Sequence, residues 1–146
     1  MAKNELDTRF SEFGTVSFAA VTRVNDFIGN LENGKLTGTR CVKCGKTFFP
    51  PRAQCCECLA AEMEWFEVTG EGELVSYSTL QYAPTGFTDE VPYTIALVDY
   101  GDYKVFGRID GSVPQEDLSV GMKLKAAVAR TSNGRLTYVF ERSQVK

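Results

Sequence analysis

The five cysteines of the chain all lie between residues 41 and 58, in the run CVKCGKTFFPPRAQCCEC. Cys41 and Cys44 form one CxxC pair, and after ten intervening residues Cys55 and Cys58 form a second pair. A two-residue spacer lets both thiolates of a turn point at one ion, and two such turns complete a tetrahedron. Cys56 falls outside this register and is expected to be a free thiol. The spacing therefore predicts four ligands of one metal ion: Cys41, Cys44, Cys55 and Cys58.

Zinc is the predicted metal, and iron is an alternative because tetrahedral sites of four sulfurs hold either ion. A redox role would need a reactive CxxC pair on a helix N-terminus, usually beside a βαβ pattern, and neither feature is evident. Catalytic zinc keeps one coordination position open, whereas four cysteines close the shell. The site is therefore predicted to be structural, and to hold together residues 35–60, a segment too short to bury a core of its own.

The absence of histidine restricts the chemistry open to this chain of 146 residues. Ser-His-Asp and Cys-His nucleophile systems, His-ligated catalytic zinc and imidazole proton relays all need that residue. The spacing of the other residues shows no carboxylate pair, glycine-rich phosphate loop or activated nucleophile. An enzyme acting alone is thus the least favoured function, no catalytic residue is assigned, and a binding or accessory role is predicted.

The sequence contains no segment that predicts export or membrane insertion. Residues 1–14, MAKNELDTRFSEFG, carry charges of both signs and lack the apolar region of a signal peptide. No run approaches the roughly 18 apolar residues of a membrane span. A cytoplasmic, reducing location is therefore expected, and in that compartment clustered CxxC pairs favour metal binding over disulfides.

Two amphipathic segments precede the cysteines and predict an N-terminal helical extension over residues 1–34. Apolar residues recur at helical spacing in two runs: Leu6, Phe10 and Phe13, then Val24, Phe27, Ile28 and Leu31. Gly34 is placed to end the second helix. The apolar faces of these helices are expected to cover either the protein's own core or another chain.

Beyond the cysteines the pattern changes from helices to strands, which makes the chain mainly β. A zinc ribbon is assigned to residues 35–68, with 61–70 expected to be a connection in which Trp65 and Phe66 pack. Five segments rich in β-branched and aromatic residues follow: 73–82, 93–100, 103–110, 123–130 and 135–141. Tight-turn signals stand at 101–102 and 133–134, and 115–118 has room for one helical turn. This order predicts a five-stranded OB-fold barrel over residues 69–146, with another small barrel or sandwich as the alternative.

Several motifs, taken together, resemble those of one known family. They are Gly34-Lys35-Leu36, Arg40-Cys41-x-x-Cys44-Gly45, Phe49-Pro50-Pro51-Arg52, Cys55-x-x-Cys58, Glu64-Trp65, Gly70-x-Gly72, Pro92-Tyr93 and Val120-Gly121-Met122. The family is acyl-CoA-associated and joins an N-terminal rubredoxin-like zinc ribbon to a C-terminal OB-fold. The resemblance spans about residues 25 to 142.

The resemblance implies a function as well as a fold. It implies zinc on the four cysteines, and a non-catalytic subunit that binds a thiolase-type enzyme and supports the binding or transfer of acyl-CoA. Cleavage of benzoylsuccinyl-CoA is one reaction that it suggests. The chain departs from the family at Leu59, where glycine is common, so the second cysteine turn is expected to be less regular. The first two dozen residues exceed the family core and are expected to contact a specific partner.

The alternative function is single-stranded nucleic-acid binding, which zinc ribbons and OB-folds serve elsewhere. Aromatic side chains on the predicted barrel offer stacking faces: Tyr77, Tyr82, Tyr93, Tyr103 and Phe106. The basic residues of the ribbon would supply charge, and would otherwise offset the charge of the metal centre: Lys35, Arg40, Lys43, Lys46 and Arg52. Residues 71–146 nevertheless hold 8 basic and 10 acidic residues, so the barrel is not a basic groove and nucleic acid is the less favoured partner.

Overall fold

The computed structural model describes residues 6–15, 17 and 20–143 of the chain. The cysteine region forms a small antiparallel sheet of three strands, β1 (Thr37–Cys41), β2 (Thr47–Phe48) and β3 (Met63–Glu67), in the order β2-β1-β3. The expectation that residues 61–70 are only a connection was wrong, because β3 pairs along the whole length of β1. This pairing satisfies the backbone groups on the second side of β1.

The second half of the chain is a closed barrel, and the OB-fold prediction is confirmed. Its strands are β4 (Glu71–Leu80), β5 (Tyr93–Asp99), β6 (Lys104–Ile109), β7 (Lys123–Arg130) and β8 (Leu136–Arg142). They close in the order β4-β5-β6-β8-β7, with β6 and β8 parallel and the other pairs antiparallel. A 3-10 helix at Gln115–Asp117 links β6 to β7 where the helical turn was predicted.

The second predicted helix is present as α1 (Asp26–Glu32). Phe27, Ile28 and Leu31 point inward and belong to the same buried apolar cluster as the barrel residues Leu74 and Phe140. Leu36 and Val68 at the two ends of the ribbon are also in this cluster. The apolar face of α1 therefore covers the protein's own core, and helix, ribbon and barrel are joined by one hydrophobic cluster.

The first predicted helix is shorter than expected, a 3-10 helix at Arg9–Glu12. The chain leaves the helical conformation at Phe13, whose backbone is extended and forms a parallel bridge with Leu136 of β8. Phe10 and Phe13 pack against the main core, whereas Leu6 is 74% exposed. The helix that the apolar spacing predicted therefore stops where Phe13 pairs with strand β8.

The shared core predicts that a change in α1 destabilises the whole molecule. Phe27→Ala removes a 2%-exposed ring and should lower the free energy of unfolding of the zinc-loaded protein by about 3 kcal/mol. Leu6→Ala, at an exposed position, should change it by less than about 0.5 kcal/mol. Urea unfolding monitored by circular dichroism measures both values. If Phe27→Ala left the urea midpoint of barrel unfolding unchanged, the N-terminal segment would be shown to contribute nothing to the stability of the barrel.

Candidate functional site

The two cysteine turns have the same backbone geometry. In the first, the backbone N–H of Gly45 donates to the carbonyl of Cys41 at 2.9 Å, and in the second that of Leu59 donates to Cys55 at 3.1 Å. Each turn then closes with a bond from the first cysteine's own N–H, Cys41 to Lys46 at 2.8 Å and Cys55 to Ala60 at 2.9 Å. The irregularity expected of the second turn is therefore not found.

Leu59 keeps this geometry only by adopting a backbone conformation that suits glycine. Its φ is 61°, beside 79° for Gly45 at the matching position of the first turn. A side chain in the left-handed region crowds the following carbonyl oxygen, which costs roughly 1–2 kcal/mol. The leucine side chain offsets little of this cost, because it is 71% exposed.

The two turns bring all four predicted ligands together. The sulfurs of Cys41, Cys44, Cys55 and Cys58 lie within 4.8 Å of one another. The contacts between the turns, Cys41 to Cys58 and Cys44 to Cys55, are both 3.5 Å. A regular tetrahedron with metal–sulfur bonds of about 2.3 Å has its sulfurs about 3.8 Å apart, so the cluster is the right size for one zinc ion. Cys56 lies outside the cluster and is an exposed free thiol, as expected.

The backbone favours the thiolate form of two of these cysteines. The N–H of Cys44 donates to the sulfur of Cys41 at 3.5 Å, and this bond lowers the pKa of Cys41 to about 6. The N–H of Cys58 lowers the pKa of Cys55 in the same way. These bonds favour the deprotonated sulfur, which a metal binds, at Cys41 and Cys55. At Cys44 the backbone N–H of Lys46 also lowers the pKa, but the hydrogen bond with Cys55 and burial outweigh it and raise the pKa of Cys44 to about 12.

The basic residues of the ribbon are mostly engaged within the ribbon. Two ion pairs use nearby glutamates, Arg40 with Glu64 at 3.5 Å and Lys46 with Glu57 at 2.6 Å. The guanidinium of Arg52 lies over the ring of Phe48, 5.5 Å from its centroid. These contacts favour local charge compensation over an anion-binding site.

A second candidate site is a cleft of about 770 Å³ on the outer face of the barrel. It lies between the loop that follows β4 and strands β5, β6 and β8, with Phe87, Tyr93, Phe106 and Tyr138 among its walls. Gly107 leaves room for the Tyr138 ring, because a Cβ there would lie 2.7 Å from it. The size and the largely apolar lining are typical of small-molecule sites.

The polar end of the cleft is built around Arg108. Its guanidinium lies 4.0 Å from the centroid of the Tyr93 ring and pairs with the carboxylate of Glu90. The hydroxyl of Thr15 donates to the same carboxylate at 3.1 Å. Arg108 is thus held in place by a ring and a carboxylate, while Arg130 at the cleft's edge is bonded to the Gly134 carbonyl at 2.9 Å.

The N-terminal segment forms one wall of this cleft, a role that the sequence did not predict. Phe13, Gly14 and Thr15 line it. Arg135 holds the segment by donating to the carbonyls of Gly14 at 2.6 Å and Phe13 at 3.2 Å, and also to that of Ser11. These bonds join residues more than 120 positions apart, so no local sequence pattern predicts them.

The aromatic residues considered for nucleic-acid stacking are divided between different surroundings. Tyr93 and Phe106 line the cleft, whereas Tyr103 packs against Phe66 with ring centroids 4.8 Å apart. Tyr82 is 90% exposed and lies outside the cleft lining. The set therefore does not form one continuous stacking face. Among the described residues, no helix is long and apolar enough to cross a membrane.

The chain has the features of the zinc-ribbon and OB-fold class of proteins. A cluster of four sulfurs lies on a small sheet, and the sheet is joined to a five-stranded barrel with a cleft on its face. Two family models match in that order. Residues 31–64 match the rubredoxin-like zinc ribbon domain of ChsH2, and residues 65–129 match its C-terminal OB-fold domain. The match to a zinc ribbon and the cluster of four cysteines identify the metal as zinc.

Curated relatives agree with the family models. A DUF35 domain-containing scaffold protein of Methanocaldococcus jannaschii is 32% identical over 112 residues, covering 73% of this chain and 79% of the relative. The benzoylsuccinyl-CoA thiolase subunit BbsA of Thauera aromatica is 30% identical over 78 residues, or 53% of each chain. The chain therefore belongs to the DUF35 family of zinc-ribbon and OB-fold scaffold proteins.

Solved structures show the same fold. The Ltp2-ChsH2(DUF35) aldolase matches with a TM-score of 0.69 and 24% identity, covering 83% of this chain and 95% of that one. A DUF35 family protein of unknown function from Sulfolobus solfataricus matches with a TM-score of 0.52 and 27% identity, covering 69% of this chain and 74% of that one.

The sulfur cluster predicts a clear difference between two cysteine variants. Cys44→Ser removes a ligand and should abolish most zinc binding, because a three-sulfur site binds the ion far more weakly. Cys56→Ser should retain the zinc of the unchanged protein. Zinc per chain is measured by atomic emission, and the fluorescence of Trp65, the single tryptophan, reports on the ribbon through its packing in the core. Equal zinc in both variants would contradict the assignment of ligands.

Proposed function

We propose that this chain is a non-catalytic accessory subunit of a thiolase-type acyl-CoA enzyme. In this proposal Cys41, Cys44, Cys55 and Cys58 hold one structural zinc in a ribbon over residues 35–68. The barrel over 69–146 lies near the CoA ester. The observation that carries the proposal is the closed four-sulfur centre in a chain of the DUF35 family. Such a centre stabilises a surface and leaves no coordination position for substrate.

The chemistry of the chain supports an accessory role. It has no histidine, so a thiolase partner would supply its own nucleophile and acid–base groups. In the cleft, the ion pair between Glu90 and Arg108 engages both side chains with each other.

The cleft is the proposed contact with acyl-CoA. Its aromatic walls suit an acyl or pantetheine chain. The Thauera relative is named as a subunit of benzoylsuccinyl-CoA thiolase. Cleavage of benzoylsuccinyl-CoA is therefore the first reaction to test with this chain.

Single-stranded nucleic-acid binding has less support. The cleft contains two acidic residues, Asp89 and Glu90, beside its arginines. The aromatic residues of the barrel do not form a continuous row, and the barrel region is acidic overall. Strong binding of single strands needs both a basic groove and successive stacking faces.

The proposal is tested by searching the genes next to this one for a thiolase and co-expressing that thiolase with this chain. The two proteins should elute together in size-exclusion chromatography, and the complex should show a lower KM for its acyl-CoA than the thiolase alone. A cytosolic protein of similar size and charge, expressed with the same thiolase, is the control. Separate elution together with full activity of the thiolase alone would refute the accessory role.

A further inference from the structure

The metal end of the ribbon carries two exposed apolar side chains. Val42 directly follows Cys41 and is 56% exposed, and Leu59 directly follows Cys58 and is 71% exposed. Both therefore project from the cysteine turns, next to the sulfur cluster. Isolated exposed apolar residues are common on protein surfaces, so their exposure alone assigns no role.

Leu59 carries a second, independent peculiarity in its backbone. Its φ of 61° is in the left-handed region, and it is the only residue other than glycine with a positive φ in the part of the chain that the structure describes. Gly45 makes the same turn without a side chain. Folding of the isolated chain would therefore be served at least as well by glycine at position 59. Because the leucine at position 59 is strained and does not stabilise the isolated chain, its side chain points to a role in binding another molecule.

The surroundings of Leu59 suit contact with a protein. Leu59 stands at the edge of a shallow recess of about 470 Å³ whose other apolar residues include Val24 and Pro51. Residues 35–68 hold five basic and four acidic residues, and a zinc bound by four thiolates contributes two further negative charges. The ribbon is thus nearly neutral overall, which does not favour phosphate groups. Exposed apolar side chains such as Leu59 and Val42 suit the charge-poor centre of a protein interface.

We propose that Leu59 docks this chain onto an apolar pocket of its thiolase-type partner, with Val42 as a flanking contact. This inference rests on the proposed accessory function. The zinc holds the two turns in place, and the turn geometry aims the leucine outward. The strain at Leu59 is then offset in the complex, where its side chain leaves water and fills a pocket.

Four variants of the zinc-loaded full chain test the proposal against the thiolase used in the co-expression. Leu59→Gly and Leu59→Asn keep the turn, because both residues tolerate a positive φ, and remove the apolar side chain. Leu59→Met restores an apolar side chain of similar size. Val120→Ser changes an apolar residue that is 67% exposed on the barrel and serves as the matched control. Zinc content and melting temperature are measured for each, and Kd by isothermal titration.

We expect the glycine and asparagine variants to have a melting temperature no lower than that of the unchanged chain. Their Kd for the thiolase should be higher by about tenfold or more. Leu59→Met and Val120→Ser should bind within about threefold of it. Unchanged affinity in the glycine and asparagine variants would overturn the inference while leaving the accessory function intact. A thiolase that fails to bind the unchanged chain would instead refute the accessory function. If the unchanged chain self-associates and Leu59→Asn makes it monomeric, the surface around Leu59 binds a second copy of the chain, and the proposal is overturned.

Discussion

The closure of four sulfurs around one ion is the constraint on which the ribbon depends. The ribbon's own buried cluster consists of Cys41, Phe48 and Cys55, with Cys58 and Met63 packed against it. These three buried side chains provide too little apolar surface to order the two cysteine turns, whereas Leu36 and Val68 at the other end of the ribbon pack into the main core. Zinc bound by the four cysteines would supply the missing free energy, with apparent values of about 10–16 kcal/mol in small zinc-folded peptides.

The ordered ribbon then supports the rest of the molecule. Phe49 follows β2 and packs against Phe27 of α1 and Tyr138 of β8, with ring centroids 6.4 and 5.6 Å apart. Tyr138 also lines the cleft on the barrel. A continuous set of packed rings therefore connects the ribbon to the proposed ligand site. Both proposed contacts, the leucine at the metal end and the cleft on the barrel, are positioned by one folded unit.

Local patterns in the sequence predicted the features that depend on local physics. The CxxC spacing identified the cysteines that meet, and alternating residues with glycine turns identified the five barrel strands. Strand β3 was missed because Met63–Glu67 mixes large apolar residues with glutamates and lacks β-branched ones. The wall formed by the N-terminal segment was missed because it depends on Arg135, a residue at the other end of the chain. Leu59 was recognised as unusual, but only its φ and exposure show that the turn stays regular at a cost.

Hydrogen–deuterium exchange before and after chelation of the metal tests the central claim most directly. With zinc removed under reducing conditions, and its absence verified by atomic emission, the amides of β1, β2 and β3 should exchange at rates close to those of an unfolded chain. The amides of β5 and β6 at the centre of the barrel should stay protected for much longer. Ribbon amides that keep their full protection without metal would contradict the claim that the four-sulfur centre folds this part of the protein.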